Sequence, residues 1–464
     1  MDMEKQRKGI LTEGPIFNVL TKLALPIMAS SFLSTAYSIT DMAWIGSLGA
    51  KAVAGVGAGG MYGWLSQGLS TLARMGGQVY TAQCIGSGEN REAGKYAQAA
   101  MQMVILFGIL FGTVCFFFSG PLIGFFGISD PDTVGYAQVY LKVTCGLIIF
   151  SYINFTLTGL FTAQGDSKTP LKANTIGLLM NMICDPLLIL GVGPFPKMEV
   201  LGAAVATVGA QMVVSLVLIR EIFCSPGSRE NILRSIRLTE KLKKGYYEKV
   251  FRMGLPAALQ SSVYCMISMV LTRMVAAFGE GAVAVQRVGG QIESISWNTA
   301  DGFAAALNAF VGQNYGAGKM DRVKKGYRLS FLTISIWGAL VTAVFVLMPG
   351  PIAEIFFHEQ QVIDTAKGYL VIVGLSEAFM CVELMATGAI SGFGKTRICS
   401  VISVAITLQR IPLALLLVRA GMGLEGIWWA LTLTSMMKGI VLHMIFLGSC
   451  RGIRRKRQAD TDYS

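Results

Sequence analysis

Charged side chains are scarce in this sequence of 464 residues: Asp, Glu, Lys and Arg make up 14%, against 53% for hydrophobic residues. A soluble domain carries about 25% charged residues, so this chain lacks the polar surface that water requires. We therefore expect an all-α polytopic membrane protein. The net charge of +12 does not indicate a nucleic acid as partner, because the basic runs are short connectors between long apolar stretches.

Histidine is also nearly absent, with two residues, and no HExxH or Gly-x-Ser-x-Gly motif occurs. These absences argue against an intramembrane enzyme. The nine cysteines lie singly within or beside apolar runs, which predicts packing rather than a disulfide framework or a zinc site. We expect no cofactor. We also expect no cleavable signal peptide, because the first apolar run is too long and carries Lys22 and Pro26.

Long apolar runs predict twelve membrane-spanning helices, because about 20 residues are needed to cross a bilayer. The runs are rich in Gly, Pro and Met, which suits packed helices and not barrel strands. They lie near residues 16–40, 53–78, 97–119, 134–161, 170–192, 200–221, 250–278, 283–311, 327–349, 365–391, 398–418 and 424–448. Most of the 39 Lys and Arg residues fall in connectors on one side, which predicts that both termini are cytoplasmic.

The chain contains an internal duplication with six predicted spans in each copy. The repeated segments are Leu25-Pro26 with Leu255-Pro256, QCIGSG (83–88) with QNYGAG (313–318), and GDSKT (165–169) with GFGKT (392–396). An even number of spans makes both copies point the same way, so we expect two parallel repeats related by a pseudo-two-fold axis along the membrane normal. No strand precedes the glycine loops, so they do not predict a phosphate-binding loop.

We divide the chain into four parts by these repeats. They are an N-terminal six-helix bundle (1–222), a cytoplasmic linker (223–248), a C-terminal six-helix bundle (249–450) and a basic, polar cytoplasmic tail (451–464). The linker could form an amphipathic surface helix or a solvated connector, and its mixed charges favour the connector.

Ionisable residues within the spans are candidates for function, because each costs at least about 2.5 kcal/mol at membrane depth. Asp185 lies near the middle of the fifth span, with Asn181 one turn earlier and Pro186 directly after it. The amide can bond the carboxyl, and the proline frees a backbone carbonyl. These groups predict a proton or sodium site; a protonated acid that caps a proline break is the structural alternative.

Asp41 is a second acid, near the outer end of the first span, and Tyr37 precedes it by one turn. It could be an ordinary residue at a helix end. If it faces Asp185, repulsion between the two carboxyls would let the pair hold a proton near neutral pH.

The second half has its own ionisable residues within spans. They are Arg287, Glu293, Asp301, Glu377, Glu383, Arg410 and Lys438. Pairing between arginine and carboxylate is the favoured explanation for the acids, and a cleft lining that attracts cationic substrates is the alternative. Lys438 is expected to snorkel or to be paired.

Taken together, the glycine loops, the two Gly-x-x-Lys-Thr turns and NMICDPLLI (181–189) resemble the multidrug and toxic compound extrusion (MATE) family of secondary transporters. The resemblance implies that Asp41, Asn181 and Asp185 form an ion-coupling site. It also implies a further polar position and three surrounding residues, which are Thr207, Tyr37, Tyr140 and Asn154.

The DinF-like branch of this family resembles the chain most, because it places a pair of acids in the first six helices. The NorM-like branch has an acid after the proline of the seventh helix, where this chain has Gln260. Since Gln260 cannot ionise, a coupling site of that kind is in doubt. Arg287, Glu293, Asp301 and Arg410 remain secondary candidates in the second half.

The resemblance implies a monomeric antiporter of the cell membrane, driven by H+ or Na+, that exports amphipathic, cationic compounds by alternating access. A flippase for lipid-linked precursors is the alternative, since cations within spans could hold a pyrophosphate. Those cations are Arg74, Arg273, Arg287 and Arg410.

The proposed ion site is not duplicated. At the repeat offset, Asp41 corresponds to Leu271. Aligning Pro186 with Pro412 sets Asp185 against Ile411 and Asn181 against Thr407. The sequence therefore predicts a copied fold with unequal chemistry in its two halves.

Overall fold

The computed structural model describes residues 10–128, 130–191, 196–224 and 231–462. These residues are almost entirely helical, and no strand occurs among them. Helices suit an apolar chain of this kind because a helix satisfies its own backbone hydrogen bonds where no water is present.

Six long helical segments make up the first half, and the fourth of them is bent. They are α1 (Ile16–Gly46), α2 (Ala50–Ser87), α3 (Asn90–Phe117), the pair α5 (Pro131–Thr144) and α6 (Ile149–Gln164), α7 (Lys168–Leu190) and α8 (Glu199–Cys224). A short helix, α4 (Ser119–Gly124), follows α3.

The second half repeats this order. Its segments are α9 (Lys244–Ala276), α10 (Glu280–Gly316), α11 (Met320–Leu347), the pair α13 (Gln360–Gly374) and α14 (Glu377–Gly392), the pair α15 (Thr396–Leu408) and α16 (Arg410–Leu417), and α17 (Gly423–Asp462). A short α12 (Pro349–Phe356) follows α11, as α4 follows α3.

The predicted order of twelve helical segments is confirmed. Seven stretches of the described residues are long and apolar enough to cross a membrane, or nine if each bent pair is one span. One of the seven, Thr396–Cys450, runs from the start of α15 into α17 and so contains two of the twelve segments. The remaining two segments, α2 and α10, are richer in Gly and polar residues and fall below that hydropathy.

The fourth and tenth segments are bent, by 48° and 44°, where the sequence predicts continuous spans. The first bend lies where Gly146 meets α3: a Cβ added at Gly112 would stand 2.5 Å from the Gly146 carbonyl oxygen. At the second bend, Thr342 Oγ1 on α11 donates to the Gly374 carbonyl at 2.8 Å. A close helix contact therefore marks the first bend, and at the second a hydroxyl satisfies a carbonyl that the bend releases.

Contacts between residues divide the chain into two compact units. Their boundaries do not lie at the linker (223–248), where the repeats place the division between the two halves. The first unit is 29–258, and the second unit is 1–28 together with 259–464. The boundaries fall inside α1 and α9, in each case two residues after the repeated proline, Pro26 or Pro256. The predicted bundles at 1–222 and 249–450 stay a prediction about which segments act together.

Within the first unit, the end of the linker is mostly exposed and non-helical, as expected for a connector, but two of its backbone carbonyls are bound by α3. The Gln98 side-chain amide donates to the Glu240 carbonyl at 2.9 Å, and that of Gln102 donates to the Leu238 carbonyl at 2.8 Å. The Tyr246 hydroxyl donates to Glu92 at 2.7 Å. Side chains of α3 therefore hold the segment that leads into α9.

Within the second unit, the segment before α1 is held in a corresponding way. The backbone N–H of Leu11 donates to Gln313 Oε1 at 3.0 Å, and Asn314 Nδ2 donates to the Leu11 carbonyl at 3.1 Å. Arg322 donates to the carbonyls of Glu13 and Gly14, both at 2.7 Å. The repeated glycine loop in the second half and Arg322 on α11 thus hold the segment before α1 by hydrogen bonds.

Candidate functional site

Three helices of the first unit position the four predicted coupling residues. Asp41 is on α1, Asn181 and Asp185 are one turn apart on α7, and Thr207 is on α8. The Asp41, Asn181 and Asp185 side chains are 9%, 1% and 0% exposed. Helix α7 runs through Pro186 without a break, so the proline leaves the helix intact while it removes one backbone donor.

The polar groups of this site are only partly hydrogen-bonded to one another. Asn181 Nδ2 donates to Asp185 Oδ1 at 3.2 Å, and the hydroxyls of Tyr37 and Thr207 share a bond of 3.1 Å. Three buried oxygens, however, have no hydrogen-bond partner among the described residues. They are Asp41 Oδ1, Asn181 Oδ1 and Asp185 Oδ2.

The two carboxyls lie within electrostatic reach of each other, as the sequence could only suggest. Tyr37 and Tyr140 each lie within reach of both acids. No Lys or Arg forms an ion pair with Asp41 or Asp185 among the side chains that the structure describes. Two buried acids without a basic partner and three free oxygens can accept a cation.

An apolar cluster lies one helical turn from these polar groups. It contains Ile45, four residues after Asp41, and Ile189, four residues after Asp185. Ile45 and Ile189 are both 0% exposed. Because apolar neighbours strengthen electrostatic interactions and raise the cost of an uncompensated charge, this cluster favours cation binding at the acids.

Tyr140 on α5 packs against this same apolar cluster. Its helix approaches α2 closely at Gly59, where an added Cβ would stand 2.9 Å from the Ala137 carbonyl and 3.3 Å from the Tyr140 ring. The small residue lets the two helices meet, and this positions the tyrosine beside the acids.

Asn154 has partners of its own on α8. Its Nδ2 donates to the carbonyl and to Oε1 of Gln211, both at 2.8 Å, and its Oδ1 accepts from Ser215 Oγ at 2.7 Å. Both ends of the amide are thus used in joining α6 to α8. A role for Asn154 around the ion site stays a prediction.

In the second unit, Glu293 accepts a hydrogen bond from the Tyr369 hydroxyl and lies within electrostatic reach of Arg410. Arg410 is 4% exposed and donates to Thr434 Oγ1 at 2.9 Å and to Ser435 Oγ at 3.0 Å. Glu293 and Arg410 thus lie near each other but form no ion pair among the described side chains, so the favoured explanation, pairing between arginine and carboxylate, stays a prediction.

The two buried acids of the second unit described next lie on α14. Glu383 and Lys438 form an ion pair of 2.8 Å, with the residues 8% and 5% exposed, so Lys438 is paired and does not snorkel. Glu377 is 1% exposed and bonds Ser296. Of the other predicted candidates, Asp301 is half-buried and has a polar partner, while the Arg287 side chain is exposed.

The positions that correspond to the coupling acids are apolar in the second unit. Leu271, the counterpart of Asp41, is 2% exposed in one cluster, and Ile411, the counterpart of Asp185, packs against the same cluster. Ile267, which replaces Tyr37 at the repeat offset, belongs to it as well. The asymmetry predicted from the alignment therefore coincides with a packed apolar core.

Sequence reasoning missed the hydrogen-bond partners of several predicted residues. Gln211 and Ser215 bond Asn154, Tyr369 bonds Glu293, and Lys438 pairs with Glu383. These partners lie 55 to 76 residues apart in the chain. No local spacing rule connects residues on different helices, so only the fold could reveal the pairs.

A duplicated order of twelve helical segments with buried acids is typical of a multi-pass membrane transporter. The MatE family model matches the chain twice, at residues 26–187 and 256–416, which together cover more than half of it. The chain belongs to the MatE family, whose members are transporters and not enzymes. The two matches begin at the repeated prolines and confirm the duplication.

Relatives cover nearly the whole chain. A probable multidrug resistance protein NorM of Thermotoga maritima is 28% identical over 441 residues, or 92% of this chain and 91% of that protein. An FAD transporter of Shewanella oneidensis is 24% identical over 453 residues, or 97% and 98% of the two chains.

Solved structures with the same fold include a MATE transporter in a straight conformation and a MATE family transporter in an outward-facing conformation. Each has a TM-score of 0.87 and 20% identity, and covers 96% of this chain and 98% of its own.

Proposed function

We propose that this transporter is a cation-coupled antiporter that exports amphipathic, cationic compounds, with H+ or Na+ as the coupling ion. Asp41, Asn181, Asp185 and Thr207 form the ion site, with Tyr37, Tyr140 and Asn154 around it. The observation that carries the proposal is the pair of buried carboxyls in the first unit, which have no basic partner among the described side chains.

Charge balance explains why such a pair takes up a cation. A buried carboxylate without compensation costs several kcal/mol, so the pair is stabilised by any cation that reaches it. A proton can neutralise one carboxyl, while a sodium ion can use the unpaired oxygens of Asp41, Asn181 and Asp185. These oxygens can therefore bind either ion.

Ion binding and transport are linked through the helices that carry the site. The acids belong to α1 and α7, and the bond between Tyr37 and Thr207 joins α1 to α8. A cation at Asp41 and Asp185 replaces repulsion between α1 and α7 by attraction and so favours one packing of these helices. Alternating access follows if the two packings open the substrate path to opposite sides.

The names of several relatives point to drugs as substrates, since they are described as multidrug resistance or multidrug export proteins. We carry that substrate class to this chain as part of the proposal. We also propose that the protein works as a monomer in the cell membrane with both termini cytoplasmic, because its basic connectors lie on one side of the predicted spans.

Proteoliposomes with independently imposed H+ and Na+ gradients test the antiport. Efflux of a cationic dye should follow one of the two gradients, and Asp41→Asn and Asp185→Asn should each lose that response. The matched control is Asp130→Asn, which removes an exposed acid of the same unit. If gradient-driven efflux by Asp41→Asn and by Asp185→Asn equals that of wild type, the proposal is wrong.

FAD is a second candidate substrate, and the relative from Shewanella oneidensis supports it with nearly complete coverage of both chains. FAD carries a diphosphate, so it is chemically opposite to a cationic dye. The same vesicles loaded with FAD or with dye separate the two candidates. Transport of FAD without transport of dye would replace the drug proposal and leave the ion site to be tested as before.

A further inference from the structure

An open groove lies on the second unit beside the middle of α17 and the turn before α15. Its volume is about 590 Å3. The residues that line it are Lys395, Val441, Met444, Ile445, Gly448 and Ser449. The spacing along α17 places Val441, Ile445 and Gly448 on one helix face, so the groove follows the helix axis.

The walls of the groove are apolar and have room for a chain-like ligand. Met444 is 64% exposed although it is a large apolar side chain. A Cβ added at Gly448 would meet no atom within 4 Å, so the space in front of this glycine is open. An apolar groove on a helix of a membrane protein has the right surface for an acyl chain.

Positive charge stands at one end of the groove. Lys395 is half-buried and forms no ion pair with any side chain that the structure describes. Lys395 and Lys324 both lie within electrostatic reach of Cys450, the residue after Ser449. The predicted topology puts this end on the cytoplasmic side, where anionic lipids attract basic residues.

The duplicated turn in the first half differs in one informative way. There, Asp166 Oδ1 accepts from the backbone N–H groups of Lys168 and Thr169, at 3.0 and 3.1 Å. In the second half the acid is replaced by Phe393, which is buried. The turn in the first half thus contains a carboxylate, Asp166. The turn in the second half has Lys395, followed by Arg397, and no acidic residue.

We propose that this groove binds an anionic phospholipid of the cytoplasmic leaflet. The acyl chain lies along Val441, Ile445 and Gly448, and the phosphate contacts the Lys395 ammonium. The lipid phosphate therefore supplies, in the second half, the negative charge that Asp166 supplies in the first. This site is separate from the acids of the first unit and does not depend on the transport proposal.

Native mass spectrometry of the purified, delipidated full-length protein measures the binding, with phosphatidylglycerol and phosphatidylcholine as probes. We expect tighter binding of phosphatidylglycerol. Lys395→Gln should weaken it roughly fivefold, the effect of one lysine near a lipid surface. The matched control is Lys168→Gln, which removes the lysine of the corresponding turn and should leave the affinity unchanged.

Gly448→Leu tests the groove itself, because a larger side chain fills the open space. It should weaken binding of phosphatidylglycerol while thermal unfolding in detergent stays as in wild type; if Gly448→Leu does not fold, Gly448→Ala takes its place. Equal affinity for both lipids, or equal effects of Lys395→Gln and Lys168→Gln, would overturn the proposal. Displacement of the lipid by inorganic phosphate at equal concentration would overturn it too, since the ligand would then be a free anion.

Discussion

The first unit buries two acids without a basic partner, whereas the second unit buries one acid in an ion pair and another beside a hydroxyl. In the first unit, Asp41 and Asp185 interact with each other and with uncharged groups. In the second unit, Glu383 pairs with Lys438 and Glu293 lies near Arg410. Glu377 of the second unit is also buried without an ion pair among the described side chains, and it bonds Ser296. What distinguishes the first unit is that two such acids, Asp41 and Asp185, lie within electrostatic reach of each other.

The corresponding positions sharpen this difference. Leu271 and Ile411 occupy, in one apolar cluster, the places that Asp41 and Asp185 have in the first half. The duplicated fold thus forms with apolar residues at both positions. Since a buried, uncompensated carboxylate opposes folding by several kcal/mol, we infer that the two acids serve function and not stability.

The largest expected effect is on transport by the first unit. Asp41→Asn or Asp185→Asn should lower drug resistance of expressing cells by roughly 5- to 150-fold, the range of a typical coupling free energy. Both variants should fold as well as wild type, because an amide replaces an acid that has no ion pair. Growth at matched expression is the measurement, with Asp130→Asn as control. Unchanged resistance in both Asp variants would contradict the assignment.

For the acid of the ion pair in the second unit, we expect an effect on stability and not on ion coupling. Glu383→Gln leaves Lys438 buried without its partner, which should lower the free energy of unfolding by roughly 3–5 kcal/mol. Changing Lys438→Met as well should restore most of this loss, because no charge is then left uncompensated. Thermal or SDS-induced unfolding checks both variants. If Glu383→Gln alone is as stable as wild type, the ion pair is not buried as described.

A smaller effect is expected where side chains hold the segment before α1. Arg322→Ala removes the hydrogen bonds to the carbonyls of Glu13 and Gly14 and should cost about 1 kcal/mol. Limited proteolysis of residues 10–15 should become faster. The control is Arg328→Ala, an exposed position on the same helix. Equal cleavage rates for the two variants would argue against this role of Arg322.

The smallest effect concerns an exposed acid of the first unit. Lys51 and the Thr133 hydroxyl lower the pKa of Asp130 from its ordinary value of 3.8 to about 2. Because the folded pKa is depressed, this interaction stabilises the protein above about pH 4 and is lost as the pH falls toward 2. Lys51→Gln should therefore flatten the fall of the melting temperature between pH 4.5 and 3. An unchanged slope would contradict the ion pair.

The sequence was sufficient for the order of helices, the duplication and the family. Apolar runs of about 20 residues and the repeated Leu-Pro, glycine-loop and Lys-Thr segments carry that information locally. The bends after Thr144 and Gly374 were not predictable, because they depend on contacts with α3 and α11. The unit boundaries inside α1 and α9 also depend on packing, and no change in composition marks them.

For the site, the sequence identified the acids but not their surroundings. Asn181 and Asp185 are one turn apart, so their bond follows from helix geometry. Asp41 and Asp185 are 144 residues apart in sequence and lie on different helices. Their closeness could be seen only in the fold. The contacts of the linker with α3 were not predictable, because the glutamines that bind it lie on α3 and have no signal in the linker itself.

The measurement that tests the difference between the units most directly is ion release by the purified transporter when a cationic substrate is added. A pH indicator and a sodium electrode in weakly buffered detergent solution follow both ions. We predict that Asp41→Asn with Asp185→Asn releases neither ion, while Glu377→Gln, a buried acid of the second unit, releases as much as wild type. Release that survives the double Asp variant and disappears in Glu377→Gln would place the coupling site in the other unit.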